Sequence, residues 1–454
     1  MIVFSHMLFH PGKEDEVGLV IGKERPLNLK SVCNFKGFVY GHVHNAYTSR
    51  NGGVTYMCST NPNFGGIDHS PELLRVFDVK ADGSFVTENH YGRNPERTWQ
   101  TSRGGAAWER RMPSPVLFAT PVVADGKVFV GTTDDENRGT GQIVALDAKT
   151  GAIVWKRKVG NSIKNRFAVA SGNVIAQDAD GCVYAFATGS GKTAWKLRLP
   201  FHFQVLASAV TASADGKTAY VGYGSRLTAV DAATGTVKWQ GAPWGKESVA
   251  GGPGIGEGRM VWAANWEGLE CHDLESGKHL WALTGEPWRF PGSDPLIADG
   301  KVIAACQWQI AEADLKTGRT LRVKKLGVPM GLPSGPILAV GGRYLVGSHE
   351  AGLLAIDRET LEIAWRAEPG LALLGVGAYR KPGKAANTSP VLADEKTVCA
   401  ACADGTIRFW DMDTGKEKRK IVTGAPYLAG VAVADGRLFA ADMAGCVRMF
   451  ALGN

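Results

Sequence analysis

Three histidines near the start of the sequence have the residue type and spacing of a metal site. His6 follows the apolar segment 2–5, and His42 and His44 lie together in Gly41-His-Val-His-Asn45. Imidazole binds borderline divalent ions such as zinc, iron and manganese. A glycine before the histidine lets the backbone approach such an ion closely. The sequence therefore makes His42 and His44 candidate metal ligands, with His6 as a further candidate at the end of another strand.

Short strands must position these histidines. Ile2-Val-Phe-Ser5 and Phe38-Val-Tyr40 are apolar runs of strand type, and each delivers a histidine at its end. Further along, residues 73–79 and 84–89 are joined at Asp82-Gly83, which predicts a hairpin. The alternative interpretation is that the histidines only cap strand ends and bind no metal.

The Ser5-His6 and Gly41-His42-Val43-His44 segments resemble the last two motif blocks of calcineurin-like metallophosphoesterases. The resemblance implies that residues 1–92 are the C-terminal remnant of that family's α/β domain. It also implies divalent metal ions in a two-metal site, in which His6 and His42 would ligate one ion and His44 the other. Paired ions of this kind activate a hydroxide and stabilise the phosphoryl oxygens of a phosphoester substrate.

The earlier motif blocks of that family have no counterpart in the sequence, because only four residues precede Ser5. Those blocks carry the bridging aspartate and a ligating asparagine. We therefore expect the chain alone to bind metal weakly, to have no catalytic residue and no phosphoesterase activity, and to be a truncated piece of a longer hydrolase.

A turn signature recurs through the rest of the sequence. It reads Asp-x-x-Thr-Gly, with a tryptophan eight residues after the aspartate in the clearest copies. The copies, variants included, begin at residues 147, 187, 231, 273, 314, 357, 411 and 451, so successive copies are 40 to 54 residues apart. Such a period is typical of four-stranded propeller blades. The aspartate forms the turn, the glycine supplies a positive φ, and the tryptophan can cover the gap to the next blade.

The eighth copy ends before its fourth strand, and Trp108 stands upstream of the first copy. We predict that residues 105–111 supply the missing strand and close the ring, which removes an open sheet edge. The predicted fold is all-β, an eight-bladed β-propeller over residues 105–454, after a linker at 93–104 and a partial α/β metallophosphoesterase domain.

The repeat resembles the propeller repeats of quinoprotein dehydrogenases and of the bacterial outer-membrane-assembly lipoprotein that shares their fold. This resemblance implies a fold and not an activity. Quinoprotein dehydrogenases use a vicinal cysteine disulfide over the quinone, and the sequence has no Cys-Cys pair, so PQQ is not expected and no cofactor-binding residue is assigned. The resemblance also suggests an envelope or secreted location, although no signal peptide is recognised in this chain.

Several other motifs are interpreted as structural. Gly189-Ser-Gly-Lys-Thr193 resembles a phosphate-binding loop, but Phe186 stands where that loop needs a glycine. Cys399 and Cys402 lie in a strand pattern that should point them to opposite faces, so a metal or redox pair is not expected.

The net charge is +7, and its basic runs recur at related repeat positions. We interpret them as charged outer strands that prevent edge pairing, with polyanion binding as the alternative, and expect no nucleic-acid partner. No apolar stretch approaches the ~20 residues of a membrane span.

Two functions are consistent with these features. The first is the propeller-bearing portion of a metal-dependent phosphoesterase, whose propeller binds the substrate or a protein or glycan partner. The alternative is a non-enzymatic propeller scaffold with a vestigial N-terminal region. The longest repeat interval holds an inserted loop at residues 371–387, which is where we expect a propeller-face site if the propeller has one. The alternative is that this segment is a solvated loop.

Overall fold

The computed structural model describes most of the chain. It covers residues 2–5, 19–20, 26–27, 36–41, 44–51, 53–63, 65–66, 70–82, 84–92, 99–200, 208–224, 226–241, 251–264, 267–289, 294–330, 335–376 and 388–453. Regular structure in these ranges consists of forty β-strands and no helix. The predicted all-β class is therefore confirmed for this part of the chain.

The first region forms a small sheet and two hairpins, and we call its described residues between 2 and 92 the head. Its strands are Ile2–Ser5 (β1), Leu19–Val20 (β2), Pro26–Leu27 (β3), Gly37–Tyr40 (β4), Tyr47–Asn51 (β5), Val54–Cys58 (β6), Leu73–Val79 (β7) and Phe85–Tyr91 (β8). The sheet order is β1-β4-β6-β5, with β5 antiparallel to β6 and the other pairs parallel. Two strand pairs of this sheet are parallel, and no helix occurs among the described residues of the head, so the partial α/β domain stays a prediction.

The later strands form eight four-stranded antiparallel sheets. Trp108–Arg111 (β9) comes first in the chain and joins the last sheet. Sheets 1 to 4 contain Val122–Ala124 (β10), Lys127–Gly131 (β11), Gln142–Asp147 (β12) and Ile153–Lys158 (β13); Ala168–Ala170 (β14), Asn173–Gln177 (β15), Cys182–Ala187 (β16) and Thr193–Arg198 (β17); Thr211–Ala212 (β18), Thr218–Tyr223 (β19), Arg226–Asp231 (β20) and Val237–Gln240 (β21); Gly254–Gly256 (β22), Arg259–Ala264 (β23), Gly268–Asp273 (β24) and His279–Thr284 (β25).

Sheets 5 to 8 repeat the same order. They contain Leu296–Ala298 (β26), Lys301–Cys306 (β27), Gln309–Asp314 (β28) and Thr320–Lys325 (β29); Leu338–Val340 (β30), Arg343–Ser348 (β31), Gly352–Asp357 (β32) and Ile363–Ala367 (β33); Val391–Asp394 (β34), Thr397–Cys402 (β35), Thr406–Asp411 (β36) and Glu417–Val422 (β37); Ala432–Ala434 (β38), Arg437–Ala441 (β39) and Cys446–Ala451 (β40), with β9 as the fourth strand of sheet 8.

Sheet 8 is completed by a strand that precedes sheet 1, and we call the pairing of β9 with β40, together with the junction between sheets 8 and 1, the seam. β9 pairs antiparallel with β40, with Trp108 opposite Met449. Between the two strands, the fully buried Arg448 donates from Nε to Glu109 Oε2 over 2.6 Å and also forms an ion pair with the buried Asp442. The strand predicted at residues 105–111 therefore lies on the open edge of sheet 8.

Tryptophans on outer strands join one sheet to the next. Trp155 of sheet 1 donates from Nε1 to Thr188 O of sheet 2 over 3.0 Å. Its indole packs so closely on Gly191 that a Cβ there would lie 2.6 Å from the ring. The same contact joins Trp108 to Gly151, Trp195 to Gly235, Trp239 to Gly277, Trp281 to Gly318 and Trp365 to Gly415. The interpretation of the outer-strand tryptophan as the cover of the gap between blades is confirmed, and the Trp108 contact crosses the seam.

The motifs interpreted as structural also have structural positions. Gly189 to Thr193 forms the turn between β16 and β17, where Gly191 receives the Trp155 indole. Cys399 packs in the core between sheets 7 and 8, whereas Cys402 packs in the core between sheets 6 and 7. The two thiols therefore point to opposite faces of β35, as predicted.

Candidate functional site

The head sheet brings two of the histidine segments to one edge. β1 and β4 are parallel neighbours with Ser5 opposite Tyr40, so the chain leaves both strands on the same side. His6 and His42 lie outside the described residues. His44 is partly buried and has a φ of 52°, a left-handed conformation that is uncommon outside glycine. No cluster of three or more potential metal ligands occurs in the described ranges, and the metal site stays a prediction.

The head packs against one face of the propeller through two apolar clusters. The first combines Tyr40, Tyr47 and Tyr56 of the head with Ala179, Val183 and Tyr223 of sheets 2 and 3. The second combines Leu73 and Tyr91 of the head with Leu374, Val376, Ala403, Leu428 and Met443 around sheets 7 and 8. The head therefore lies over the loops on both sides of the seam.

A buried polar network lies within this interface. Asp135, in the loop between β11 and β12, is 2% exposed. It accepts a hydrogen bond from Ser162 Oγ over 2.7 Å and forms an ion pair with Lys164 Nζ at 3.1 Å. Arg75 of the head is also buried and donates from Nη1 to Thr48 Oγ1 over 3.0 Å. The interface thus holds three charged groups away from water.

Burial perturbs the titration of these groups. Desolvation raises the pKa of Asp135, and the charges of Lys164 and Arg75 oppose that shift. Desolvation also lowers the pKa of Arg75, against the attraction of Asp135. Each charge is tolerated only because the others compensate for lost hydration. Loss of one member would therefore leave the rest buried without compensation.

Hydrogen bonds around the network attach individual head strands to the propeller loops. Tyr47 donates its hydroxyl to Asp180 Oδ1 over 2.6 Å. The backbone N–H of Asn89 donates to Glu136 Oε1 over 2.6 Å, and Arg138 donates from Nη2 to Thr87 O over 3.1 Å. The loops of sheets 1 and 2 therefore recognise both backbone and side chains of the head.

The inserted loop predicted as a site also contacts the head where it is described. Residues 377–387 lie outside the described residues. In the preceding part, Gly375 O accepts a hydrogen bond from Glu72 N over 2.8 Å, and Val376 forms an isolated β-bridge with Pro71. The described part of the insertion thus contributes to the docking surface of the head.

A further ion pair, buried on its carboxylate side, links loops from different parts of the ring. Arg166, between sheets 1 and 2, pairs with Asp294, which precedes sheet 5. Asp294 Oδ1 also accepts a hydrogen bond from Gly252 N over 2.9 Å, and a Cβ on Gly335 would lie 3.1 Å from Arg166 Nη1. Four inter-sheet connections therefore converge on this pair.

A cleft of about 290 Å³ lies between the head and the seam. Its walls come from the β7–β8 hairpin, Trp99, residues 111–115 after the closing strand, and the loops of sheets 1 and 8. Sequence reasoning missed both the cleft and the polar network, because their residues are far apart in the chain. The available signal was the unusually long segment 132–141 between β11 and β12, which carries Asp135 and Arg138.

Comparison with known proteins gives the family of the propeller. The family model described as outer membrane protein assembly factor BamB matches residues 96–324 and 307–443. The chain is 29% identical over 214 residues to outer membrane protein assembly factor BamB of Bordetella pertussis, which covers 44% of this chain and 53% of that protein. It is 25% identical over 366 residues to quinohemoprotein alcohol dehydrogenase ADH IIB of Pseudomonas putida, which covers 66% of this chain and 49% of that enzyme. The chain spans about half the length of these two relatives.

A solved structure shows the same fold. The crystal structure of BamB from Moraxella catarrhalis matches with a TM-score of 0.58 and 17% identity, over 77% of this chain and 99% of that one. A helix long and apolar enough to cross a membrane is not found in the described ranges. The family match begins at residue 96, so the metallophosphoesterase resemblance of residues 1–92 stays a prediction. Because the match extends over well more than half of the sequence, the chain belongs to the BamB-like family of PQQ-type repeat β-propellers.

Proposed function

We propose that this chain is a non-enzymatic binding scaffold of the bacterial cell envelope, built on a closed propeller of eight blades. Relatives named outer membrane protein assembly factors support both the location and the role in assembly. The eight similar sheets and the seam contacts support the number of blades.

The observation that carries this proposal is that the propeller face already binds a protein segment, the head. The same loops continue around the ring beyond the head. Trp308 lies in the loop of sheet 5 that corresponds to the Asp135 loop of sheet 1, and its side chain is 47% exposed. Exposed aromatic residues on rigid loops are favoured contacts in protein interfaces. This face is therefore the proposed partner-binding surface.

Site-specific cross-linking in the host cell tests the proposal. A photo-reactive amino acid replaces Trp308, and a control replaces Lys217, which is well exposed in the turn between β18 and β19 on the other side of the ring. We expect a discrete cross-linked protein from position 308 in the envelope fraction and none from position 217. Equal patterns at both positions, or a protein confined to the cytosol, would contradict the scaffold function.

The head favours a second function, metal-dependent phosphoester hydrolysis by an intact parent. The observation behind it is the pairing of Ser5 with Tyr40, from which the segments bearing His6 and His42 leave the same sheet edge. Manganese titration of the wild-type chain and of His42→Ala/His44→Ala tests it. If this function is correct, the wild-type chain binds manganese weakly and the double substitution abolishes that binding. Equal heats for both proteins would favour histidines that only cap strand ends.

A further inference from the structure

The cleft between the head and the seam has the size of a small ligand site. Its volume of about 290 Å³ is near the lower end of the roughly 300–1,000 Å³ range for ligand pockets. It exists only when the head is docked and β9 is in place, because Asn89, Trp99 and Arg111 line it from three separate segments. Nothing in the scaffold function requires this cavity, so it needs its own explanation.

Two buried acceptor atoms belong to the residues that line the cleft. Asn89 is 3% exposed and Asp135 is 2% exposed. Asn89 Oδ1 and Asp135 Oδ2 have no hydrogen-bond partner among the described residues. Leaving such atoms unsatisfied is costly, so buried polar groups are normally paired. Both atoms can accept hydrogen bonds from a ligand that carries hydroxyl groups.

The cleft also contains a cation and aromatic rings. The guanidinium of Arg111 donates to Cys446 Sγ at 3.9 Å and forms no ion pair with a carboxylate in the part of the chain described. Arg138, in contrast, pairs with Glu136 at 2.9 Å. Tyr91 and Trp99 add aromatic surface. One uncompensated positive charge, two acceptors and flat apolar walls together match a ring that bears hydroxyl groups and one negative charge.

We infer that this cleft binds a single acidic sugar unit. The hydroxyl groups of the sugar donate to Asn89 Oδ1 and Asp135 Oδ2, and its carboxylate pairs with Arg111. The apolar face of the sugar ring packs against Trp99 or Tyr91, as the π faces of aromatic side chains allow. Because the bound sugar touches the head, the closing strand and sheet 1 together, its binding also stabilises the docked head.

Saturation-transfer NMR and calorimetry with glucuronate test this inference on the full chain. We expect glucuronate to bind the wild-type protein and D-glucose, which lacks the carboxylate, to bind at least about tenfold more weakly. Arg111→Gln should weaken glucuronate binding by about tenfold and leave glucose binding unchanged. Asn89→Leu should weaken binding of both sugars.

Matched controls separate the cleft from general effects of charge. Arg319→Gln removes the same charge from an exposed turn of sheet 5 and should leave binding unchanged. The Asn89→Leu result counts only if the circular dichroism spectrum of this variant matches that of the wild type. If Asn89→Leu does not fold, the Arg111→Gln variant still tests the inference, because Arg111 is exposed. No glucuronate signal with the wild type would mean that the cleft holds water only. That result, or equal loss with Arg111→Gln and Arg319→Gln, overturns the inference without affecting the scaffold function.

Discussion

The ring and the head are stabilised by contacts of opposite kinds. In the ring, one contact recurs at six junctions of the described chain, an indole packed on a glycine of the next sheet. Between sheets 5 and 6, Arg322 replaces the tryptophan and its Nη2 donates to Arg358 O over 2.8 Å. Between the head and the ring, the contact is a single polar network of Arg75, Asp135 and Lys164. This network is not repeated elsewhere in the described chain, and its three side chains are almost excluded from water.

The two kinds of contact differ in how well they tolerate a substitution. A recurring apolar contact can be replaced at one junction, as Arg322 shows, because the neighbouring junctions still hold the ring. A buried polar network has no second copy, and removal of one charge leaves its partners without compensation. We therefore expect substitutions in the head interface and at the buried pairs of the seam to cost more than substitutions at an ordinary turn.

The largest expected effect is at the seam. Arg448→Met leaves Asp442 buried without its cation and should lower the free energy of unfolding by about 3–5 kcal/mol in urea denaturation. Arg408→Met is the control, because Arg408 has the same position in sheet 7 but is 13% exposed, and its partners Asp404 and Glu417 are also reached by water; its loss should be smaller. Equal losses for the two variants would show that the seam is an ordinary junction.

Arg75→Met should detach the head while the ring stays folded. Since Asp135 and Lys164 would remain buried, we expect a cost of about 3 kcal/mol to head docking. Hydrogen exchange measured on peptides 36–51 and 70–92 should rise, with peptides from sheets 4 to 6 unchanged. Arg50→Met removes an exposed arginine of β5, whose one hydrogen bond to the propeller among the described residues is long and exposed, 3.5 Å to Asn137 O, and should leave both sets unchanged. Loss of protection throughout the ring would contradict the separation of the two regions.

A pH dependence is expected at Asp178, beneath the head. Burial, with a contribution from Asp180, raises the pKa of Asp178 from 3.8 to about 6. A carboxyl group with a raised pKa binds its proton more tightly in the folded protein, so stability falls as the pH rises from about 4 to about 6. Relative to Asp178→Asn, the wild type should lose about 2–3 kcal/mol of unfolding free energy over this range. A difference between the two proteins that does not vary with pH would exclude this assignment.

The smallest expected effect separates backbone strain from steric overlap in the ring. Gly151 and Gly126 both have a φ of 68°, but a Cβ on Gly151 would lie 2.6 Å from the Trp108 indole, whereas no described residue would lie within 4 Å of a Cβ on Gly126. Gly151→Ala should therefore cost about 1–2 kcal/mol more than Gly126→Ala in thermal or urea unfolding. Similar costs would mean that the indole moves aside freely.

The ring could be predicted from the sequence because its rules are local and repeated. Each turn from aspartate to glycine and each tryptophan lie within one short segment, so eight copies reinforce one interpretation. The strand at Trp108 could be predicted because the eighth copy lacked a fourth strand. These inferences required no knowledge of distant contacts.

The head interface could not be predicted in the same way. Lys164 and Arg75 look like solvated surface residues in the sequence, and only the fold brings them to Asp135. The cleft could not be predicted either, because it also forms from residues that are far apart in the sequence. One of them, Trp99, lay in a segment predicted to be a linker. The histidine pattern predicted two strands that do lie side by side, while the metal that it suggests depends on residues outside the described ranges.

The placement of the head across the seam has a consequence for the order in which the molecule comes apart. The head contacts loops of sheets 1 to 3 on one side of the seam and of sheets 7 and 8 on the other, so it bridges the place where the ring closes. The ring therefore opens at the seam only after the head has dissociated. A partner that displaces the head would therefore also free the seam to open.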